Sequence, residues 1–178
     1  MHWLNEPARW SEAPNLLRAT ADAGTDFWRT TNYGYVRDSG HLYGDVVAGE
    51  FEFSMRIRGS YSAQYDQAGA MVRIDECNWV KTGVEYFEGR MRLSTVITFD
   101  YSSWVVADLP PATSELALFL TRKGDALEVH YSPDGRAKDL AAIVYLPPEA
   151  PARVGAMLAA PEGDGFEVTF HDMSLVAK

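Results

Sequence analysis

The 178-residue chain carries 25 acidic and 16 basic side chains, a net charge of −9, which argues against a nucleic-acid ligand or an acidic membrane surface through long-range repulsion. Its Lys and Arg residues are scattered, and no segment approaches the ~20 apolar residues of a membrane span. The single cysteine, Cys77, forbids an internal disulfide, and together with a start that lacks a basic and apolar leader it predicts a cytoplasmic protein.

The length suits one domain over residues 1–178. Abundant aromatic, β-branched and glycine residues, with recurring turn signals and no helical periodicity, predict an all-β sandwich. Residues 1–24 read as an irregular or strand-containing entry in which Trp3, Leu4, Trp10, Leu16 and Leu17 pack one flank. FWRT from Phe27, and HLYGDVV after the turn at Asp38, Ser39 and Gly40, read as strands. In FEFSMRIRG, Phe51, Phe53, Met55 and Ile57 alternate with Glu52, Ser54, Arg56 and Arg58, so one face is buried and the other wet. After residue 98, DYSSWVVADLPP reads as an aromatic loop. LALFLTR and LEVHYS follow as strands, and Pro133, Asp134 and Gly135 make a turn before LAAIVYL. ProProGluAlaPro at 147–151 is an edge or crossover loop. The closing strands VGAMLAA and FEVTFHDMSLV flank ProGluGlyAspGly, a plain hairpin turn in preference to a calcium loop.

Residues 65–98, YDQAGAMVRIDECNWVKTGVEYFEGRMRLSTVIT, read as three antiparallel strands whose faces can be drawn. Ala68, Ala70, Val72 and Ile74, then Val80, Thr82, Val84 and Tyr86, form the core side. Matching faces places Asp75 opposite Trp79, with a loop of Glu76, Cys77 and Asn78 in which Asn78 takes the left-handed position. The turn Glu88-Gly89 closes Phe87 onto Arg90. The outer face then has rows Gly69, Glu85, Arg92; Met71, Gly83, Ser94; Arg73, Lys81, Val96; and Asp75, Trp79, Thr98. Arg73 directly across from Lys81 costs a few tenths to ~1 kcal/mol unless an anion intervenes. Two readings follow: a polar ligand held by Arg73, Lys81 and Glu85 with Trp79 as stacking platform, or a solvated face whose long side chains diverge. In either, Lys81→Ala should leave folding nearly intact. Sugars use such a mix, because their ring faces stack on aromatics while their hydroxyls need charged and amide groups. Trp28, Tyr33, Tyr43 and Trp104 offer further platforms.

This stretch, with Ser102, Ser103 and Trp104 and the late VGAMLAAPEGDGFEVTFHDMSL, resembles the uncharacterised family named for regulation of enolase over about residues 5–176. The most specific parts are Asp66 to Gly69, Arg73 to Asp75, and NWVKTGVEY at 78–86. The resemblance implies a concanavalin A-like jelly roll of two antiparallel sheets, with a ligand site on a concave face or its rim, and implies no reaction. Gln67, Arg73, Asp75, Trp79, Lys81 and Glu85 are the motif positions carried as the site, with Arg92 and Trp104 beside them.

A glycosidase needs two carboxyl groups, ~5.5 Å apart for retention or ~6.5 to 9.5 Å for inversion. Glu85 is the one catalytic candidate, and its partner would come from Glu52, Asp45, Asp66 or Glu128. Arg92 beside Glu85 would lower its pKa, the wrong direction for a general acid. A protein-interaction module that regulates a metabolic enzyme would instead use Trp104 or the Trp-rich N-terminus. His2, His41, His130 and His171 lack metal-ligand spacing, and no phosphate loop or nucleophile elbow occurs, so neither metal nor cofactor is implied. The expectation is a cytoplasmic domain, non-catalytic or weakly catalytic, that binds a sugar or sugar-like small molecule.

Overall fold

The computed structural model describes residues 1–178. Sixteen strands follow one another in the order β1 (His2–Leu4), β2 (Trp10–Ala13), β3 (Leu16–Thr20), β4 (Phe27–Arg29), β5 (Val36–Asp38), β6 (His41–Val47), β7 (Phe51–Gly59), β8 (Gln67–Arg73), β9 (Asn78–Phe87), β10 (Arg90–Phe99), β11 (Tyr101–Asp108), β12 (Leu116–Lys123), β13 (Ala126–Ser132), β14 (Asp139–Tyr145), β15 (Ala152–Ala159) and β16 (Glu167–Ala177). The first sheet has the order β1-β6-β15-β8-β9-β10-β11, the second β14-β13-β12-β7-β16-β3-β2, and β4 pairs with β5 as a separate ribbon. Neighbouring strands are antiparallel in both sheets. No helix is long and apolar enough to cross a membrane.

Alternation builds the sandwich. Phe51, Phe53, Met55 and Ile57 are at most 1% exposed while Glu52 and Arg58 face solvent, the pattern expected of β7. They meet Ala68, Ala70, Val72, Val80, Val84 and Leu93 of the first sheet in a core of 31 buried residues. The outer face of the first sheet is not wet, however. Met71, Trp79 and Val96 point away from the main core into a second cluster with Phe27, Trp28, Leu42 and Met157, because the segment around β4 folds over them.

Register holds in one hairpin and slips in the other. Between β9 and β10, Glu85 faces Arg92, Lys81 faces Val96 and Trp79 faces Thr98, as expected. Glu88 and Gly89 both have positive φ, +52° and +79°, which the two-residue turn demands. Between β8 and β9 the pairing is displaced by two residues: Arg73 faces Trp79, Met71 faces Lys81 and Gln67 faces Glu85. Asp75 therefore does not face Trp79, nor Arg73 Lys81. The reason lies in the loop at 74–77. The Asp75 carboxylate accepts hydrogen bonds from the Cys77 amide and Asn78 Nδ2, and the amides of Ile74 and Asp75 donate to Asn78 O. The side chain of Asp75 thus stitches its own turn outside the sheet. Asn78 already belongs to β9 and does not take the left-handed position.

Gly69 faces Gly83 across the same pair of strands. A Cβ on Gly69 would lie 1.9 Å from Thr82 O, so only glycine permits this approach of the two backbones. The aromatic loop expected after residue 98 is instead β11, paired with β10 from Arg92↔Asp108 to Phe99↔Tyr101 after a reversal at Asp100 (φ +59°). As the last strand of its sheet, β11 buries little, so its sequence carries no clean alternation.

Candidate functional site

Strand pairing lines up Gly155, Met71, Lys81, Val96 and Trp104 as one row across the outer face of the first sheet, and Ala159, Gln67, Glu85, Arg92 and Asp108 as another. Lys81, Val96, Trp104, Gln67 and Glu85 form the floor of a pocket of about 320 Å³. Asp26, Trp28, Tyr33, Tyr35 and Arg37, from the β4–β5 ribbon and its approach, make one wall; Tyr65, Pro161 and Glu162 complete it.

Local backbone chemistry places these walls. Asp26 closes the base of the ribbon: its carbonyl accepts the amides of Ser39 and Gly40, its amide donates to Ser39 Oγ, and its Oδ1 accepts the Phe27 amide. At the ribbon tip Thr30 and Asn32 have φ of +62° and +64°, and Tyr33 stacks on Tyr35 with ring centroids 5.6 Å apart. Tyr65, also left-handed at +66°, follows a loop tied by the Asp66 carboxylate, which accepts the amides of Ser62 and Ala63. Tyr65 and Phe87 both pack against Trp104, at 6.2 and 4.9 Å between centroids.

The polar floor is buried and densely bonded. Lys81, 5% exposed, donates to Phe27 O at 2.7 Å, to Asp26 Oδ1 at 3.3 Å and to Gln67 Oε1. Gln67 Nε2 donates to Asp26 Oδ1 at 3.3 Å and to Tyr65 O at 3.2 Å. The Trp104 indole N–H is shared between Glu85 Oε2 and Ser94 Oγ, both at 2.9 Å. Burial pushes the Glu85 carboxyl above its ordinary range, and the opposing pull of Lys81, Ser94 and Trp104 does not cancel it. The lowering expected from Arg92 is overturned, because that guanidinium is engaged with Glu88 at 2.8 Å and Asp108 at 3.1 Å.

Of the residues expected at a site, the structure brings Gln67, Lys81, Glu85 and Trp104 together and leaves Arg73, Asp75, Trp79 and Arg92 outside. Arg73 instead pairs with Asp38 at 2.8 Å and bonds the Asp75 carbonyl, which fastens the ribbon to the sheet. Trp79 is fully buried against Phe27, so it presents no face for stacking. Trp28 and Tyr33 line the pocket, whereas Tyr43 packs on Trp3 elsewhere. None of the carboxylates considered as partners of Glu85 reaches it: Glu52 meets Lys178, Asp45 the N-terminal amine, Asp66 its own loop, and Glu128 sits on the second sheet. The carboxylate that does share the pocket is Asp26. Its signal in sequence was indirect, since a lysine on a strand face beside Met71, Trp79 and Val96 requires a buried counter-charge.

Comparison with known proteins gives both family and fold. Regulation of enolase protein 1 of Saccharomyces cerevisiae is 37% identical over 175 residues, 98% of this chain and 88% of that protein. A crystal structure of a functionally unknown Saccharomyces cerevisiae protein matches at a TM-score of 0.95 and 37% identity, covering 99% of this chain and 96% of that one. The carbohydrate-binding module CBM66 from Bacillus subtilis, only 13% identical, matches at 0.61 over 98% of this chain and 95% of its own, and so shares the jelly-roll sandwich. The profile of DUF1349, a family described as proteins of unknown function, matches residues 3–178, and the chain belongs to that family.

Proposed function

We propose that the protein binds a sugar or sugar-like polyol in the pocket over Lys81 and Glu85, acting in the cytosol without turning the ligand over. The observation that carries this reading is the pairing of aromatic walls, Trp28, Tyr33, Tyr35, Tyr65 and Trp104, with the inward carboxylates Asp26 and Glu85. Ring faces stack on such walls and hydroxyls donate to such oxygens. The likeness to a module named for carbohydrate binding supports the reading at the level of fold. The name of the yeast relative supports a regulatory setting in which an occupied pocket is the signal passed to a metabolic enzyme.

A thermal-shift panel of mono- and oligosaccharides, sugar acids and sugar phosphates tests it, because a ligand at 100 times its dissociation constant stabilises by ~2.7 kcal/mol. Tyr33 is 44% exposed, so Tyr33→Ala should fold as wild type and weaken a binding sugar by about three- to tenfold. Silence across the panel would reject the reading.

Asp26 beside Glu85 favours a second reading, glycoside hydrolysis with Glu85 as general acid, since burial moves its carboxyl in the direction an acid needs. Release of nitrophenol from chromogenic glycosides, abolished in Glu85→Gln, would replace the binding reading with this one.

A further inference from the structure

The hydrogen-bond inventory of the pocket floor is one-sided. Lys81 has three hydrogens and meets three acceptors. Gln67 directs its amide to Asp26 Oδ1 and Tyr65 O, and the Trp104 indole N–H is divided between Glu85 and Ser94. Each floor N–H is thereby taken. Acceptors remain: Asp26 Oδ1 collects the Phe27 amide, Gln67 and Lys81 while Oδ2 takes no hydrogen bond from the protein, and Glu85 accepts the Trp104 indole on Oε2, with the Ser94 hydroxyl also acting on its carboxyl. Asp26 and Glu85 are 8% and 6% exposed, so these oxygens open onto the pocket with little bulk water to satisfy them.

Resting on the sugar reading above, we propose that the pocket selects a ligand bearing a protonated amine, an amino sugar or amino polyol, whose ammonium sits between Asp26 Oδ2 and the carboxylate of Glu85. An ammonium only donates, and it has three hydrogens for exactly the kind of group the floor leaves over. Aromatic faces stabilise a cation placed over them, and Trp28, Tyr33, Tyr65 and Trp104 surround the site. Two cations share the pocket without opposing it: the charge of Lys81 is met by Asp26, and Arg37 lies 5.1 Å over the Tyr35 ring on the exposed rim, where Glu162 also stands. A ligand that only accepts, such as a phosphate, finds no floor donor to meet it.

Isothermal titration of the full chain at neutral pH separates the two levels of the argument. Glucosamine, galactosamine and mannosamine are compared with their neutral parent sugars and their N-acetyl derivatives, in wild type and in Glu85→Gln, which keeps an acceptor for Trp104. At least one free amine should bind about tenfold or more tightly than both its parent and its N-acetyl form, and in Glu85→Gln the amine should bind no more tightly than its parent. Parent sugars binding as tightly as their amines would overturn the amine preference and leave the sugar reading standing. No binding by any of the nine would overturn both. Should Glu85→Gln not fold, the comparison of amine, parent and N-acetyl form on wild type decides alone.

Discussion

A lysine as buried as Lys81 needs an acceptor for each hydrogen and a charge to face: Asp26 supplies the charge and one acceptor, and Phe27 O and Gln67 Oε1 supply the other two. Removing one member of such a pair leaves the other stranded, so Lys81→Ala is expected to cost about 3–5 kcal/mol in denaturant unfolding. That reverses the expectation from sequence of a nearly unperturbed fold. Lys81→Met combined with Asp26→Asn removes both members of the pair and should be more stable than Lys81→Ala alone; a double variant no better than the single one would mean that the pair is not what Lys81 is for. Lys81 and Glu85 were legible together because strand parity puts them on one face, and Gln67 joined them through the family motif. Asp26 was not, since it lies 55 residues from Lys81 and its own surroundings carry no motif. The rise of the Glu85 carboxyl was illegible for the same reason: it comes from a covering segment that local pattern does not reveal.

The covering element is the β4–β5 ribbon. Its attachments include Arg73 to Asp38, Asn5 Nδ2 to the carbonyls of Asp38 and Gly40, the Arg29 amide to Ser102 Oγ, Lys81 to the Phe27 carbonyl, and Phe27 against Trp79. Trp79→Ala is expected to cost about 3–5 kcal/mol and to speed hydrogen exchange at the Thr30 amide, which is bonded to Tyr35 O within the ribbon. Wild-type stability in that variant would mean that the indole faces a ligand after all. Strand faces were readable throughout 65–98 because a slip of one residue would invert them. A slip of two inverts nothing, so apolar patterning could not distinguish the expected from the observed β8–β9 pairing; the side chain of Asp75 decides it. The strand β11 escaped notice because an edge strand has little to bury.

At the scale of the molecule, two seven-stranded sheets follow from alternation and turn chemistry, both of which are written locally. Five of the eleven large exposed apolar side chains, Tyr101, Val105, Leu140, Ile143 and Tyr145, lie on the edge strands β11 and β14, while Trp104 of β11 is bonded into the pocket. The net charge of −9 draws cations toward the protein. Association of an amino sugar should therefore slow as ionic strength rises from about 0.01 to about 0.15 M and the screening length falls from about 30 to about 8 Å, while association of its neutral parent stays constant. Stopped-flow mixing at the two salt levels reads this, and equal salt dependence for both ligands would remove the field from the account.

The pocket is built from two kinds of material. Its floor stands on four neighbouring strands of the first sheet, β8 to β11, so exchange of Gln67, Lys81 or Glu85 strains the frame itself. Its rim is a hairpin tip whose Tyr33 and Tyr35 are 44% and 39% exposed and rest on each other and on Trp28 of the second cluster. Inheritance acts differently on the two. Descendants of one ancestral chain can exchange rim aromatics, and so reshape the pocket mouth, while the frame beneath passes on unchanged.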